Sequence, residues 1–179
     1  MDHSFTASVF IGTSVDGFIA REDGDLGWLI SRGEAAGGGE GYGYPDFMST
    51  VDTVVMGRAT YEAVTASGWW EYDGKHVAVL SSRLPADRDP RITVYPDLDR
   101  LIAGLTDRGT KSVYVDGGQT IRTFLQAGLV QQITITQVPV LIGSGIPLFG
   151  PLEADISLTL LSAQALKAGL VQTTYAVEN

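Results

Sequence analysis

The chain of 179 residues is 44% hydrophobic and 18% charged, the balance of an ordinary globular protein, and it is long enough to bury one core without disulfides or metals. Its formal net charge of −9 argues against a nucleic-acid partner, because a phosphate backbone recruits clustered Lys and Arg and no such cluster occurs. No apolar run approaches the roughly 18 residues needed to span a bilayer, so a membrane partner is not expected either.

Met1-Asp2-His3-Ser4 lacks the basic start and apolar core of a secretory signal, and there is no Cys. A cytoplasmic protein of one domain, residues 1–179, is the expectation. Residues 5–12, with Phe5, Val9, Phe10 and Ile11, read as a buried first strand. Asp16-Gly17 then marks a turn between two apolar pieces, and residues 21–28 form a loop returning Trp28 to the body of the protein. Residues 33–45 hold six glycines around Tyr42 and Tyr44 and read as a mobile loop. Its tyrosines either fold over a pocket or anchor the loop by packing.

A short helix is expected over 45–49, a strand over 53–56 and a helix over 59–66 with Tyr61 and Val64 inward. Trp69 and Trp70 fall in the next loop, as core or dimer contacts rather than stacking surfaces for a substrate. The apolar strand 77–80 ends at Ser81-Ser82-Arg83. After a strand over 92–95, Leu98, Leu101, Ile102 and Leu105 have the i, i+3, i+4, i+7 spacing of a helix with one buried stripe. Residues 112–115 give another strand, broken by Gly117-Gly118 into a helix with Ile121, Phe124 and Leu125 inward. The strand 132–138, a glycine-punctuated loop over 139–149 and two strands joined at Lys167-Ala168-Gly169 complete the chain. Alternating apolar strands and amphipathic helices imply a largely parallel sheet covered on both faces, made mixed by the terminal hairpin.

Ligands of open α/β sheets lie at the C-terminal ends of the parallel strands. Gly57-Arg58-Ala59-Thr60, Ser81-Ser82-Arg83 and Gly117-Gly118-Gln119-Thr120 all fall there. Helix N-termini at Arg58 and Gly118 suit a pyrophosphate, and Ser82, Arg83 and Arg58 suit a ribose 2′-phosphate. A single Gly-Gly turn is equally at home as a plain crossover turn. Neither G-x-G-x-x-G after the first strand nor G-x-x-x-x-G-K-[ST] is present, so the nucleotide site is of another design.

Val15-Asp16-Gly17-Phe18-Ile19-Ala20, Val55-Met56-Gly57-Arg58-Ala59-Thr60-Tyr61, Leu80-Ser81-Ser82, Val115-Asp116-Gly117-Gly118 and the loop from Pro139 to Phe149 occur in an order that resembles the dihydrofolate reductase superfamily. The last of these resembles the branch of the C-terminal reductase domain of the bifunctional riboflavin-biosynthesis deaminase/reductase. The resemblance implies a three-layer α/β/α fold with a mixed, mostly parallel eight-stranded sheet ending in an antiparallel hairpin. It also implies NADPH as hydride donor, a small-molecule substrate and a homodimer. Carried over by residue, Gly57, Arg58 and Thr60 meet the cofactor phosphates, Ser81, Ser82 and Arg83 the 2′-phosphate, and Gly117, Gly118, Gln119 and Ile121 the pyrophosphate. Gly12 and Ile19 border the nicotinamide, while Trp28 and Phe47 face the substrate.

Asp46 is the candidate proton relay, set beside Phe47 and Tyr44; the alternative is an N-cap of the short helix after Pro45. It stands closer to Met56 than the corresponding acid of folate-reducing members does, and no match to their substrate-tail arginine is evident. Asp16 reads as a turn residue, and His3 and His76 as surface residues. No metal site is expected, and no serine has a nucleophile's partners. The resulting readings are an NADPH-dependent reductase of a pterin-like or ribosylaminopyrimidine-like ring, the 5-amino-6-(5-phosphoribosylamino)uracil reductase of riboflavin biosynthesis, or an NADP-binding protein without turnover.

Overall fold

The computed structural model describes residues 4–178. In chain order the elements are β1 (Thr6–Ser14), β2 (Phe18–Ala20), α1 (Gly27–Ala35), α2 (Gly38–Gly41), α3 (Tyr44–Ser49), β3 (Thr53–Gly57), α4 (Arg58–Ser67), β4 (His76–Leu80), β5 (Ile92–Tyr95), α5 (Leu98–Asp107), β6 (Ser112–Asp116), α6 (Gly118–Gln126), β7 (Val130–Val138), β8 (Ile146–Pro147), β9 (Leu158–Ala165) and β10 (Val171–Val177). The main sheet has the order β5-β4-β3-β6-β1-β7-β10-β9. Pairing is parallel from β5 through β7, and β10 runs antiparallel to both β7 and β9. The expected mixed, eight-stranded, three-layer α/β/α architecture is therefore present.

The short strands β3, β4 and β6 are apolar throughout their middles because both faces are covered. On one face Ala7, Val9, Val55, Ala78, Val113 and Val115 pack under α5 and α6, whose Leu101, Leu105, Ile121 and Phe124 are fully buried. On the other, Val54, Met56, Val77, Val79 and Tyr114 pack under α3 and α4 through Met48 and Tyr61. Successive residues of a strand face opposite ways, so each buried strand feeds both cores. The terminal hairpin turns at Ala168 (φ 59) and Gly169 (φ 75), and its first arm β9, the edge of the sheet, is exposed along its whole length.

The glycine-rich stretch departs from the expectation of a mobile loop. It forms α1, α2 and α3, three short helices whose breaks coincide with Gly37 (φ 109) and Gly43 (φ 77), residues in the left-handed region that glycine enters without steric cost. Packing offsets the poor helix propensity of these glycines: Phe10 of β1 stacks on Phe47 at 4.8 Å and also meets Tyr44 at 5.8 Å and Tyr42 at 6.5 Å.

The expected turn at Asp16 has a second use, since the Asp16 carboxylate accepts the N–H groups of Ile142 and Gly143 and ties down the 139–149 loop. That loop carries β8, which pairs with β2. Trp70 is packed as expected, edge-on to Tyr72 at 5.3 Å with the Arg91 guanidinium 4.1 Å over its ring, whereas Trp69 is 71% exposed. His76 is half-buried rather than superficial, and burial pushes its imidazole down to about 4, so it is neutral. His3 lies outside the described residues.

Candidate functional site

Two turns at the C-terminal edge of the sheet have one design. β3 runs straight into α4 through Gly57, and β6 runs into α6 through Gly117. Both helices take a glycine as N-cap and neither has a side-chain cap, so the N–H groups of Arg58, Ala59 and Thr60, and of Gly118, Gln119 and Thr120, have no acceptor within their helices. Such a row of donors at the positive end of a helix dipole favours an anion.

The turns also interlock. A Cβ on Gly57 would stand 2.9 Å from Thr120 Oγ1 of α6, and a Cβ on Gly117 would collide with Thr60 Oγ1 of α4. Gly117 has φ 88 besides, so it needs glycine for two reasons. A Cβ on Gly118 would meet Ile19 Cδ1 and the Pro147 carbonyl oxygen, each at 3.1 Å, which places Ile19 of β2 directly against the β6–α6 turn. Gly12, near the end of β1, lies under Leu29 of α1, whose Cδ1 would be 2.5 Å from an added Cβ.

The third turn follows β4. Ser81 Oγ accepts the N–H groups of Arg83 and Leu84, which fixes the loop and leaves Ser82 and Arg83 exposed. Arg83 has no ion-pair partner among the described residues. Arg58 does: it holds both Glu62 oxygens, at 2.8 and 3.0 Å, on the exposed side of α4. Ile121 is placed differently from its fellows, being fully buried beneath the turn with its N–H donated to the Gly117 carbonyl. It supports the turn from below.

On the α3 side of the sheet lies a cavity of about 470 Å³ lined by Phe10, Tyr42, Asp46, Phe47, Gln132 and Gln172, among others. Asp46 is in the first turn of α3, but the N-cap is Gly43, so the capping alternative does not hold. Its carboxyl is exposed to the cavity mouth. Trp28, part-buried on α1, keeps its indole Nε1 buried and without a hydrogen-bond partner.

The residue that reading the sequence missed as a site acid is Asp116, the last of β6. Tyr114 precedes it by two on the same strand face and packs against Phe47 at 5.2 Å and Tyr44 at 6.4 Å, continuing the cavity's aromatic wall to the turn. Burial raises the Asp116 carboxyl to about 6, against the pull of the Gly117 N–H at 2.8 Å and of the Tyr114 hydroxyl; Glu71 adds to the rise. Glu71 accepts the Tyr44 hydroxyl at 2.8 Å, which fastens α3 to the 68–75 loop. An acid directly before Gly-Gly at a strand end was the available signal. Of the groups that act on it, Tyr114 and Gly117 are its chain neighbours, but Glu71 comes from the distant 68–75 loop, and its burial comes from the fold.

A match to the RibD C-terminal domain model extends over residues 7–172, most of the chain. The chain belongs to the RibD C-terminal domain family. Membership marks it as a reductase-type oxidoreductase, and the fold is of the dihydrofolate reductase type. Among relatives of this RibD-type domain, the protein YwjB of Bacillus subtilis (strain 168), itself of uncharacterized function, is 35% identical over 155 residues, covering 85% of this chain and 87% of that one. The crystal structure of a protein from Shewanella sp. PV-4, provisionally named for riboflavin biosynthesis, superimposes with a TM-score of 0.87 at 36% identity, over 98% of this chain and 100% of that chain. Dihydrofolate reductase from Enterococcus faecalis, solved with NADP(H) and RAB-propyl, shares the fold with a TM-score of 0.67 at 15% identity, covering 99% and 98% of the two chains.

For this RibD-type domain the fit to a dinucleotide can be judged from its own residues. Two uncapped helix starts and an exposed arginine beside a serine offer donors, and the one acid at the turns, Asp116, is turned to the Gly117 N–H and leaves those of Gly118, Gln119 and Thr120 unused. They suit a phosphorylated nucleotide. Among the described residues no helix is long and apolar enough to cross a membrane, and no group of three or more His, Cys, Asp or Glu stands close enough to hold a metal.

Proposed function

We propose that the chain is an NADPH-dependent reductase of a small heterocycle, pterin-like or ribosylaminopyrimidine-like, and that residues 1–179 form one domain. The observation that carries this reading is the pair of uncapped, glycine-started helices α4 and α6, together with an acid-bearing aromatic cavity whose Phe47 packs against Tyr114 of β6. When bound, the nicotinamide supplies hydride. The first-turn N–H groups of α4 and α6 hold the pyrophosphate, and Ser82, Arg83 and Arg58 hold the 2′-phosphate. Ser81 keeps their loop in place. Gly12 and Ile19 border the nicotinamide, while Trp28 and Phe47 orient the substrate ring and exclude water.

Two acids compete for the proton. Asp46 is the one singled out from sequence, but it is exposed. Asp116 is the better donor, because a carboxyl raised to about 6 keeps a protonated fraction near neutrality. The two roles separate in the variants Asp116→Asn and Asp46→Asn: the donor's loss lowers kcat, whereas loss of a group that only orients the ring raises KM.

The activity is tested by the melting shift with NADPH, followed by NADPH oxidation against a panel of pterins and ribosylaminopyrimidines. Turnover of the phosphorylated ribosylaminouracil would select the riboflavin-pathway alternative. A melting shift with no oxidation of any candidate would select an NADP-binding protein without turnover. A homodimer belongs to the same proposal, supported by Leu160 and Leu161, each 56% exposed on the unpartnered edge β9. Light scattering at micromolar concentration should return twice the chain mass, and a monomer would refute it.

A further inference from the structure

We propose that Arg122 is a positioning residue, whose guanidinium fixes the β8 segment to α6 and through it sets where Ile19 stands against the β6–α6 turn. The proposal rests on the reading of that turn as a nucleotide site with Ile19 at the nicotinamide, and it adds the side chain that holds Ile19 there.

The first residue of α6 marks the meeting point. The three heavy atoms nearest to a Cβ on Gly118 would be Ile19 Cδ1 of β2, the Pro147 carbonyl oxygen of β8 and Arg122 Nη1 of α6 itself, at 3.1, 3.1 and 3.3 Å. Arg122 follows Gly118 by one helical turn, and helical side chains lean toward the N-terminus, so the guanidinium lies back over the start of the helix. There Nη1 donates to the Pro147 carbonyl at 2.9 Å. A Cβ on Gly150 would stand 2.9 Å from Arg122 Cδ and 3.4 Å from Nε, so the side chain runs in a slot between two glycines. No carboxylate pairs with it among the described residues. Its place is set by one carbonyl and by the fit between Gly118 and Gly150.

The segment held by that bond has little else to hold it. β8 consists of Ile146 and Pro147, both exposed, and it pairs only with the short β2. A two-stranded sheet of this size is not stable by itself. The Asp16 carboxylate ties the loop down at Ile142 and Gly143, and the buried Leu148 anchors its other end, with an N–H on the Gly17 carbonyl at 3.0 Å. Pro147 has no N–H, so its carbonyl is the one backbone group by which it can be anchored, and Arg122 takes it. Ile19 lies between Phe18 and Ala20, the β2 residues that pair with Pro147 and Ile146. A displacement of Pro147 from α6 therefore carries Ile19 with it.

The test compares the binding of NADPH with that of adenosine 2′,5′-bisphosphate, the part of the cofactor that lacks the nicotinamide, on the full chain and its variants. Melting of the unliganded proteins controls for folding. Arg122→Met keeps the aliphatic stem and removes the donor. It should weaken NADPH about tenfold, the lower end of what one charge-assisted hydrogen bond is worth, and lower the emission of the bound reduced nicotinamide. The bisphosphate should stay within about twofold, since the adenosine half does not reach Ile19. Arg122→Lys, which can still donate to Pro147, should recover most of both losses, and Arg122→Gln serves where Arg122→Met does not fold. Ile19→Ala should give the same split between the two ligands, and combined with Arg122→Met it should add little, because both act at one point.

Equal weakening of the two ligands overturns the proposal, because Arg122 would then act on the phosphates or on the turn as a whole. So do an unchanged NADPH affinity, a lysine variant that restores nothing, or additive losses in the double variant. A tie that serves stability alone would lower the melting point without the split. The reading beneath the proposal fails in a different place: an unaltered chain that gives no melting shift with NADPH refutes that reading and the proposal with it. The split without oxidation of any candidate substrate supports the role of Arg122 and refutes turnover.

Discussion

Three helices begin at the same edge of the sheet, and they begin in two ways. α5 follows β5 and is capped by its own Asp97, whose carboxylate accepts the Arg100 N–H at 2.9 Å. α4 and α6 follow β3 and β6 through glycines and have no side-chain cap at all. A capped helix has satisfied its first turn from within, as a purely structural helix should. An uncapped one leaves donors for water or for a ligand, and two of them stand side by side because β3 and β6 are neighbours in the sheet. The difference separates helices that only cover the core from helices that also present a binding edge.

The strongest way to break this contrast is Gly117→Val, which forces a β-branched residue into φ 88 and against Thr60. Strain and overpacking together should cost about 3–5 kcal/mol, read as a lower urea midpoint, and NADPH binding should vanish. Next is Asp116→Asn, expected to lower kcat by about 10²–10³-fold. If the protonated acid is the donor, kcat/KM of the parent falls as pH rises through about 6, and that fall disappears in the variant. Stability gives an independent readout. The folded carboxyl is raised above its usual 3.8, so its contribution is fully present below about 4 and is lost as pH rises through 6. Asp116→Asn should remove that dependence in urea melts at pH 5 and pH 7.

A smaller effect is expected at the third turn. Arg83→Ala should weaken NADPH by about one to two powers of ten and leave NADH nearly unchanged, since one charge-assisted contact is worth roughly 1.5–3 kcal/mol. Arg58→Ala should do less to this preference because Arg58 already shares its charge with Glu62. Equal weakening of both cofactors by Arg83→Ala would remove the 2′-phosphate assignment. The smallest change is the control: Asp97→Ala should cost about 1 kcal/mol and leave cofactor affinity untouched. A loss of NADPH binding there would erase the distinction between the two kinds of helix.

Much of this architecture was legible because it rests on local pattern. Runs such as Val77-Ala78-Val79-Leu80 are buried on both faces, and the Leu98, Leu101, Ile102, Leu105 stripe faces the core with Leu101 and Leu105 fully buried. The stretch from Gly33 to Pro45 was misread because glycine content argues locally for a loop, while the contacts of Tyr42, Tyr44 and Phe47 with Phe10 act across some 30 residues of chain. Within its motif Asp116 reads only as the acid before a Gly-Gly turn. Its shift is produced by burial among Tyr114, Gly117 and Glu71, and no single window of sequence contains that environment. Ile121 shows the opposite lesson, since the inward stripe Ile121, Phe124, Leu125 foretold a core residue and the structure buries it fully.

The reciprocal contacts of Thr60 with Gly117 and Thr120 with Gly57 make the two helix starts a preset caliper. Each threonine hydroxyl fills the space that a Cβ on the opposite glycine would need, so the closeness of the two rows of N–H donors depends on four residues together. A larger side chain at Gly57 is tolerable only if Thr120 shrinks in the same step, whereas at Gly117 the backbone excludes one even when Thr60 does.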